Sequence, residues 1–241
     1  MSADVPRDEE TVAYFDSHVP EYGSVRLEAA ARFIREKASP DASLIDLGCG
    51  TGNTLEYLRA ESGIETIAGL DISANCLERV EERLHCETHL GSILDRSLME
   101  KIGQRFDFAV VAAVLHHLIG PTRRASAELA ELAVENSKLV LKPGGHLVVH
   151  EPIYYPYAAM SGLFYLKKGV TRLTSRRVGI FGYWNNIGPP VVSYYTNERL
   201  DEIVLQGGGT VVDRHVEEET VPAPLRPLLR KTSTTVVVRT D

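Results

Sequence analysis

Short apolar runs alternate with helical patterns along most of the chain. Strand candidates are Ser43–Leu47, Thr66–Leu70, Glu87–Leu90, Phe106–Ala112 and His146–His150. Between them, Thr54–Glu61, Ala74–Leu84, Ser97–Lys101 and Arg123–Asn136 carry helical periodicity. Two further helices are expected ahead of the first strand, about Asp8–His18 and Val25–Ala38. In the second, Leu27, Ala30, Ala31 and Ile34 share a face and Pro40 closes it. The strand runs are continuous rather than alternating, "FAVVAAV" being one, as expected of strands buried on both sides. This order predicts an α/β fold: a doubly wound, mostly parallel seven-stranded sheet with helices on both faces. "KPGG", Lys142–Gly145, reads as the turn that launches the fifth strand.

Past Pro152 the rhythm breaks, and residues 152–195 read as an insertion. It resumes at Asn197, a potential N-cap for a helix to about Leu205 that Gly207–Gly209 would stop. Thr210–His215 and Thr234–Arg239 are then two closing strands. With no helical pattern between them, they are expected to form an antiparallel hairpin. The expected organisation is one domain: a helical cover (1–40), a core (41–151), an inserted lid (152–195), and a closing helix and hairpin (196–241).

Bulk properties narrow the function. With 241 residues, 44% hydrophobic and 24% charged, the chain has an ordinary globular profile. A net charge of −7 gives no general affinity for nucleic acid. The longest apolar run, Phe108–Leu115, is about half of what a membrane span needs. The acidic start "MSADVPRDEE" lacks the apolar stretch of a secretory signal. Cys49, Cys76 and Cys86 form no CxxC pair, so neither a disulfide framework nor a zinc site is expected, and a cytoplasmic setting is.

The densest chemical signal is "LIDLGCGTGN", Leu44–Asn53, with three glycines in five residues between a strand and a helix. Such a turn faces the ligand crevice at the carboxyl end of a parallel sheet. Glycine admits close backbone approach, and the following helix offers free N–H groups. The dinucleotide pattern GxGxxG fails at Asn53, and Asp46 at the strand end would repel a pyrophosphate. A ligand with a cationic amino group suits it better, which argues against an NAD-dependent oxidoreductase.

"DLGCGTG" resembles the first motif of the class I S-adenosylmethionine-dependent methyltransferases, whose fold is Rossmann-like. "GLDIS", "GSILD", "FDFAVVAAVLHHL" and "LKPGGHLVVHEP" resemble the following four motifs in the expected order. The resemblance implies methyl transfer from S-adenosylmethionine, leaving S-adenosylhomocysteine, to an oxygen, nitrogen or carbon of a small molecule. It implies that Asp46, Gly48, Gly50 and Asn53 hold the methionine part. Asp71 and Ile72 would take the ribose and adenine edge, and Ser92 and Ile93 would flank the adenine. Ala112 and His117 would line the floor near the sulfonium, with Tyr14 or Tyr22 closing over the cofactor. His117 is a candidate base, His116 a weaker one, and His150 a packing residue. Glu151, ending the fifth strand, is a candidate base or substrate anchor. A module that binds the cofactor without turnover is the competing reading.

Residues 152–197 contain five basic residues, no acid, seven of the ten tyrosines and the tryptophan. They suggest an aromatic lid with a cationic rim, with Tyr154, Tyr155, Arg172, Trp184, Asn185 and Tyr194 as substrate-binding candidates, for an aromatic or anion-bearing acceptor. Peripheral membrane contact through Ala158–Arg177 is an alternative use of the same surface.

Overall fold

The computed structural model describes residues 27–173, 191–221, 223 and 226–241. The expected helix at Asp8–His18 and the candidates Tyr14, Tyr22, Trp184 and Asn185 lie outside these residues.

The elements run α1 (Glu28–Lys37), β1 (Ser43–Leu47), α2 (Asn53–Ser62), β2 (Thr66–Asp71), α3 (Ala74–Leu84), β3 (Glu87–Leu90), α4 (Arg96–Ile102) and β4 (Phe106–Ala112). A 3₁₀ turn (Leu115–His117) follows, then α5 (Arg123–Lys138), β5 (Leu141–Tyr155), α6 (Tyr157–Leu173), α7 (Asn197–Val204), β6 (Thr210–Glu219) and β7 (Arg230–Arg239). The sheet has seven strands in the order β3-β2-β1-β4-β5-β7-β6. β1 to β5 pair in parallel, and β7 pairs antiparallel with both β5 and β6.

The two-residue period of the strands sorts their side chains between two cores. Leu44, Phe108, Val110, Val148 and Val237 face α1, α2 and α3. Their neighbours Ile45, Ala109, Val111, Leu147, Val149, Val236 and Val238 face α4, α5 and α7. Doubly buried strands are therefore apolar along most of their length, the pattern that the sequence shows.

The carboxyl ends of the first five strands differ from expectation in one respect. β5 spans fifteen residues rather than the expected five. The "KPGG" segment forms an irregularity inside it, and its far half pairs with β7 as far as Tyr155↔Arg230. The pairing partner lies some eighty residues away in sequence, beyond the reach of a local pattern. Residues 157–173 form one helix, α6, with Met160, Phe164 and Lys167 buried on one face. Aromatic and basic composition masked that face. β6 and β7 form the expected antiparallel hairpin, each longer than its sequence pattern. β7 is inserted next to β5, leaving β6 at the edge.

Candidate active site

The glycine loop carries on the β1–β2 pairing: Gly48 N–H and Cys49 N–H both donate to the Leu70 carbonyl, at 2.7 and 3.0 Å. All three glycines have positive φ, for different reasons. A Cβ on Gly48 would lie 2.5 Å from Val114 Cγ2, so this glycine admits the loop after β4. Gly52 is the N-cap of α2, where a Cβ would press on Val80 and Leu84 of α3. A Cβ on Gly50 would meet nothing within 4 Å, so its bare face is turned to open space.

Two carboxylates flank this loop. Asp71 ends β2 and is tied at both oxygens: Gly50 N–H donates to Oδ2 at 2.8 Å and Ser73 N–H to Oδ1 at 2.9 Å. Asp46 is 1% exposed, and among the described residues neither of its oxygens has a hydrogen-bond partner. Burial, reinforced by the nearby Asp71 charge, pushes its pKa up to about 8. A buried acid without a donor is costly in isolation. It becomes favourable when a cation with N–H groups arrives. The unpartnered acid beside an open glycine fits an amino-acid ammonium, and Asp71 at the neighbouring strand end fits a ribose, as S-adenosylmethionine requires.

The remaining cofactor candidates are placed as follows. Asn53 begins α2, and its Oδ1 accepts from Arg83 Nη1 at 2.8 Å. Ile72 is half-buried after β2. Ser92 is half-buried, its hydroxyl accepting from Leu94 N–H at 3.2 Å. Ile93 packs into the core shared with α4 and α5. Ala112 is half-buried at the end of β4. Ala113, next to it, adopts a left-handed conformation (φ 58°), a conformation a non-glycine residue rarely holds.

Beyond Ala113, the 3₁₀ turn is anchored by β5. Glu151 is fully buried, with Oε1 accepting Leu115 N–H at 2.7 Å and Oε2 lying 2.7 Å from His116 Nδ1. Glu151 thus engages both the backbone of the turn and the Nδ1 side of the ring, leaving Nε2 as the ring nitrogen it does not hold. The His116 ring contacts those of His117 (4.1 Å between centroids) and Tyr194 (5.3 Å), and Tyr194 in turn meets Tyr154 at 4.3 Å. Burial raises the pKa of both tyrosines, Tyr194 to about 12, so both are neutral phenols. Burial, with His116 and Lys167 nearby, pulls His117 well below the usual imidazole range and holds it neutral. Tyr195 hydroxyl donates to the Leu115 carbonyl at 3.1 Å, and Ser193 N–H to the His116 carbonyl at 2.8 Å. His150 packs against β7, its Nδ1 2.9 Å from Thr235 Oγ1.

Glu151, His116, His117, Tyr154 and Tyr194 thus come together beyond the end of β4 and along the second half of β5. Tyr155 does not join them; its hydroxyl accepts from Asn197 Nδ2 at 2.7 Å. Arg172 is exposed near the far end of α6, fifteen residues beyond Tyr157 and so about 22 Å along the helix. The Glu151–His116 pairing joins residues thirty-five apart, and no local sequence signal marks it.

Residues 17–213 match the family described as "Methyltransferase domain". A dTDP-3-amino-3,4,6-trideoxy-alpha-D-glucopyranose N,N-dimethyltransferase of Streptomyces venezuelae is 30% identical over 149 residues, covering 61% of this chain and 57% of that one. A probable tRNA methyltransferase 9B of Bos taurus is 29% identical, covering 56% of this chain and 27% of that one. The chain thus spans about half the length, or less, of these curated relatives. The magnesium protoporphyrin IX methyltransferase of Synechocystis PCC 6803, solved with bound SAH, shares the fold. Its TM-score is 0.63 at 14% identity, covering 97% of this chain and all of that one. Family match and strand order agree, and the chain belongs to the class I S-adenosylmethionine-dependent methyltransferases.

Proposed function

We propose that this chain moves a methyl group from S-adenosylmethionine to an oxygen, nitrogen or carbon nucleophile of a small, anion-bearing or aromatic molecule, with His116 as the base. The cofactor, when bound, supplies an electrophilic methyl group on a sulfonium. Asp46 would receive its ammonium group, Gly48 and Gly50 would let its chain lie against the backbone, and Asp71 would hold its ribose hydroxyls. Ile72, Ser92 and Ile93 border the adenine end, and Ala112 the floor.

The observation that carries the reading is the buried Glu151–His116 pair next to this cradle. Glu151 fixes the His116 ring and keeps its proton on Nδ1, so Nε2 is the atom that takes a proton from the acceptor. The sequence favoured His117 for this role. Burial pulls His117 well below the usual imidazole range, which makes it the weaker proton acceptor, and its ring lies against His116 as a wall. Tyr154 and Tyr194 would form the aromatic side of the acceptor pocket, where water is excluded and the nucleophile is oriented.

The experiment is incubation of the purified chain with methyl-labelled S-adenosylmethionine and host extract, followed by separation of small molecules from RNA and protein. Label is expected in the small-molecule fraction, lost with Glu151→Gln. Label confined to RNA or protein would overturn the acceptor class, and none in any fraction would favour a binding module without turnover.

A further inference from the structure

A cavity of about 480 Å³ opens where the first turns of α5 and α7 converge. Arg123, Tyr157, Ser193, Thr196 and Arg199 are among the residues that line it. Both helices present their N-terminal ends here, capped by Thr122 and Thr196. The backbone N–H groups of such ends favour negative charge. Helix ends alone would not make a site, but two buried side chains point to a ligand. Arg123 is 8% exposed, and among the described residues its Nε and Nη1 have no hydrogen-bond partner. Its Nη2 donates to the Tyr194 carbonyl. Ser193 is 1% exposed, and its hydroxyl is likewise without a partner among the described residues.

The local carboxylates do not neutralise Arg123. Glu128 pairs with Arg124 at 3.0 Å, Glu202 with Arg199 at 2.6 Å, and Glu131 also with Arg199. None of these acids lines the cavity, and none is paired with Arg123. A desolvated guanidinium facing a cavity that, among the described residues, no acid lines is complementary to a carboxylate or phosphate, which accept from two N–H groups of one arginine at once. The Tyr157 ring lies 4.5 Å over the guanidinium and is half exposed, so it can turn aside without disturbing the core.

We propose that this cavity is an anion-binding site in which Arg123 and Ser193 hold the carboxylate or phosphate group of a small molecule. The site backs onto the acceptor wall. Tyr194, whose carbonyl receives Arg123, stacks on His116, and Ser193 N–H donates to the His116 carbonyl. An anion drawn onto Arg123 therefore acts on the segment that positions the base.

Inorganic phosphate titrated into the full chain, followed by phosphorus NMR, tests the site without any methyl transfer. Saturable binding is expected, weakened about tenfold to a hundredfold by Arg123→Gln and about fivefold by Ser193→Ala. S-Adenosylmethionine affinity by calorimetry should be unchanged in both variants, so failure here is distinct from failure of the methyltransferase reading. If Arg123→Gln does not fold, Ser193→Ala and Arg123→Lys carry the test. No saturable binding, or equal binding in wild type and variants, overturns the proposal. Labelling in host extract identifies the source of the anion. A methylated product that bears an anionic group and is lost with Arg123→Gln assigns it to the acceptor. Turnover that rises with added phosphate in wild type alone assigns it to a free anion. Turnover indifferent to both phosphate and Arg123→Gln overturns any link between the cavity and the reaction.

Discussion

Glu151 holds His116 by its Nδ1 at 2.7 Å while its other oxygen fixes the backbone of the residue before it. One carboxylate therefore sets both the position of the turn and the tautomer of the ring. Glu151→Gln keeps the size of the side chain but replaces one acceptor by a donor. Turnover should fall by about 10²-fold or more, the scale of lost acid–base assistance, while cofactor affinity changes little. A structural role alone would lower affinity and turnover together. His116→Asn should match the loss, and His117→Asn should cost less.

Asp46 gives a pH signature. Its folded pKa of about 8 lies above the ordinary 3.8, so the folded apoprotein binds more protons than the unfolded chain between these values. Stability contributed by the neutral acid is present at low pH and lost as pH rises, with a limiting slope of about 1.4 kcal/mol per pH unit. Thermal unfolding of Asp46→Asn without cofactor should lack this slope, so the variant gains on wild type between pH 5 and 8. It should also bind S-adenosylmethionine more weakly. Parallel stability curves for the two proteins would remove Asp46 as the ammonium site.

Binding of that ammonium requires the ionised acid. Below pH 8 the cofactor should therefore release close to one proton on binding. Calorimetry in buffers of different ionisation enthalpy measures it, and no release at pH 6.5 would contradict the assignment.

Asp71→Ala should weaken cofactor binding by about 1–3 kcal/mol, the scale for hydrogen bonds to a charged group. The same change frees Gly50 N–H, so the loop should also loosen, visible as faster amide exchange at Gly50. Unchanged affinity would dismiss the ribose role.

Gly48→Ala should destabilise the fold by about 1–3 kcal/mol through overpacking against Val114. Combining it with Val114→Ala should recover part of the loss, leaving the cost of the positive φ. Denaturant titration of the single and double variants measures this, and no recovery would mean the contact is not the cause.

The sequence made the parallel half of the sheet legible because its strands are apolar on both faces and its turns carry glycine. It was less informative wherever a residue's role depends on a distant partner. Glu151 looks like a strand-end acid until His116 is brought to it. β5 seems short until β7 pairs with its second half. Arg123 carries no motif at all; only its burial beside Ser193 sets it apart from the exposed Arg124. Arg172, conspicuous in a basic aromatic stretch, is exposed near the end of α6.

The insertion of β7 between β5 and β6 has a consequence for synthesis. The strand translated last of the seven occupies an interior place, so the growing chain carries two open hydrogen-bonding edges, on β5 and β6, until residue 239 is free of the ribosome. Until that moment the turn that carries His116 rests on a strand whose outer side is bare, so its final support waits on the arrival of β7.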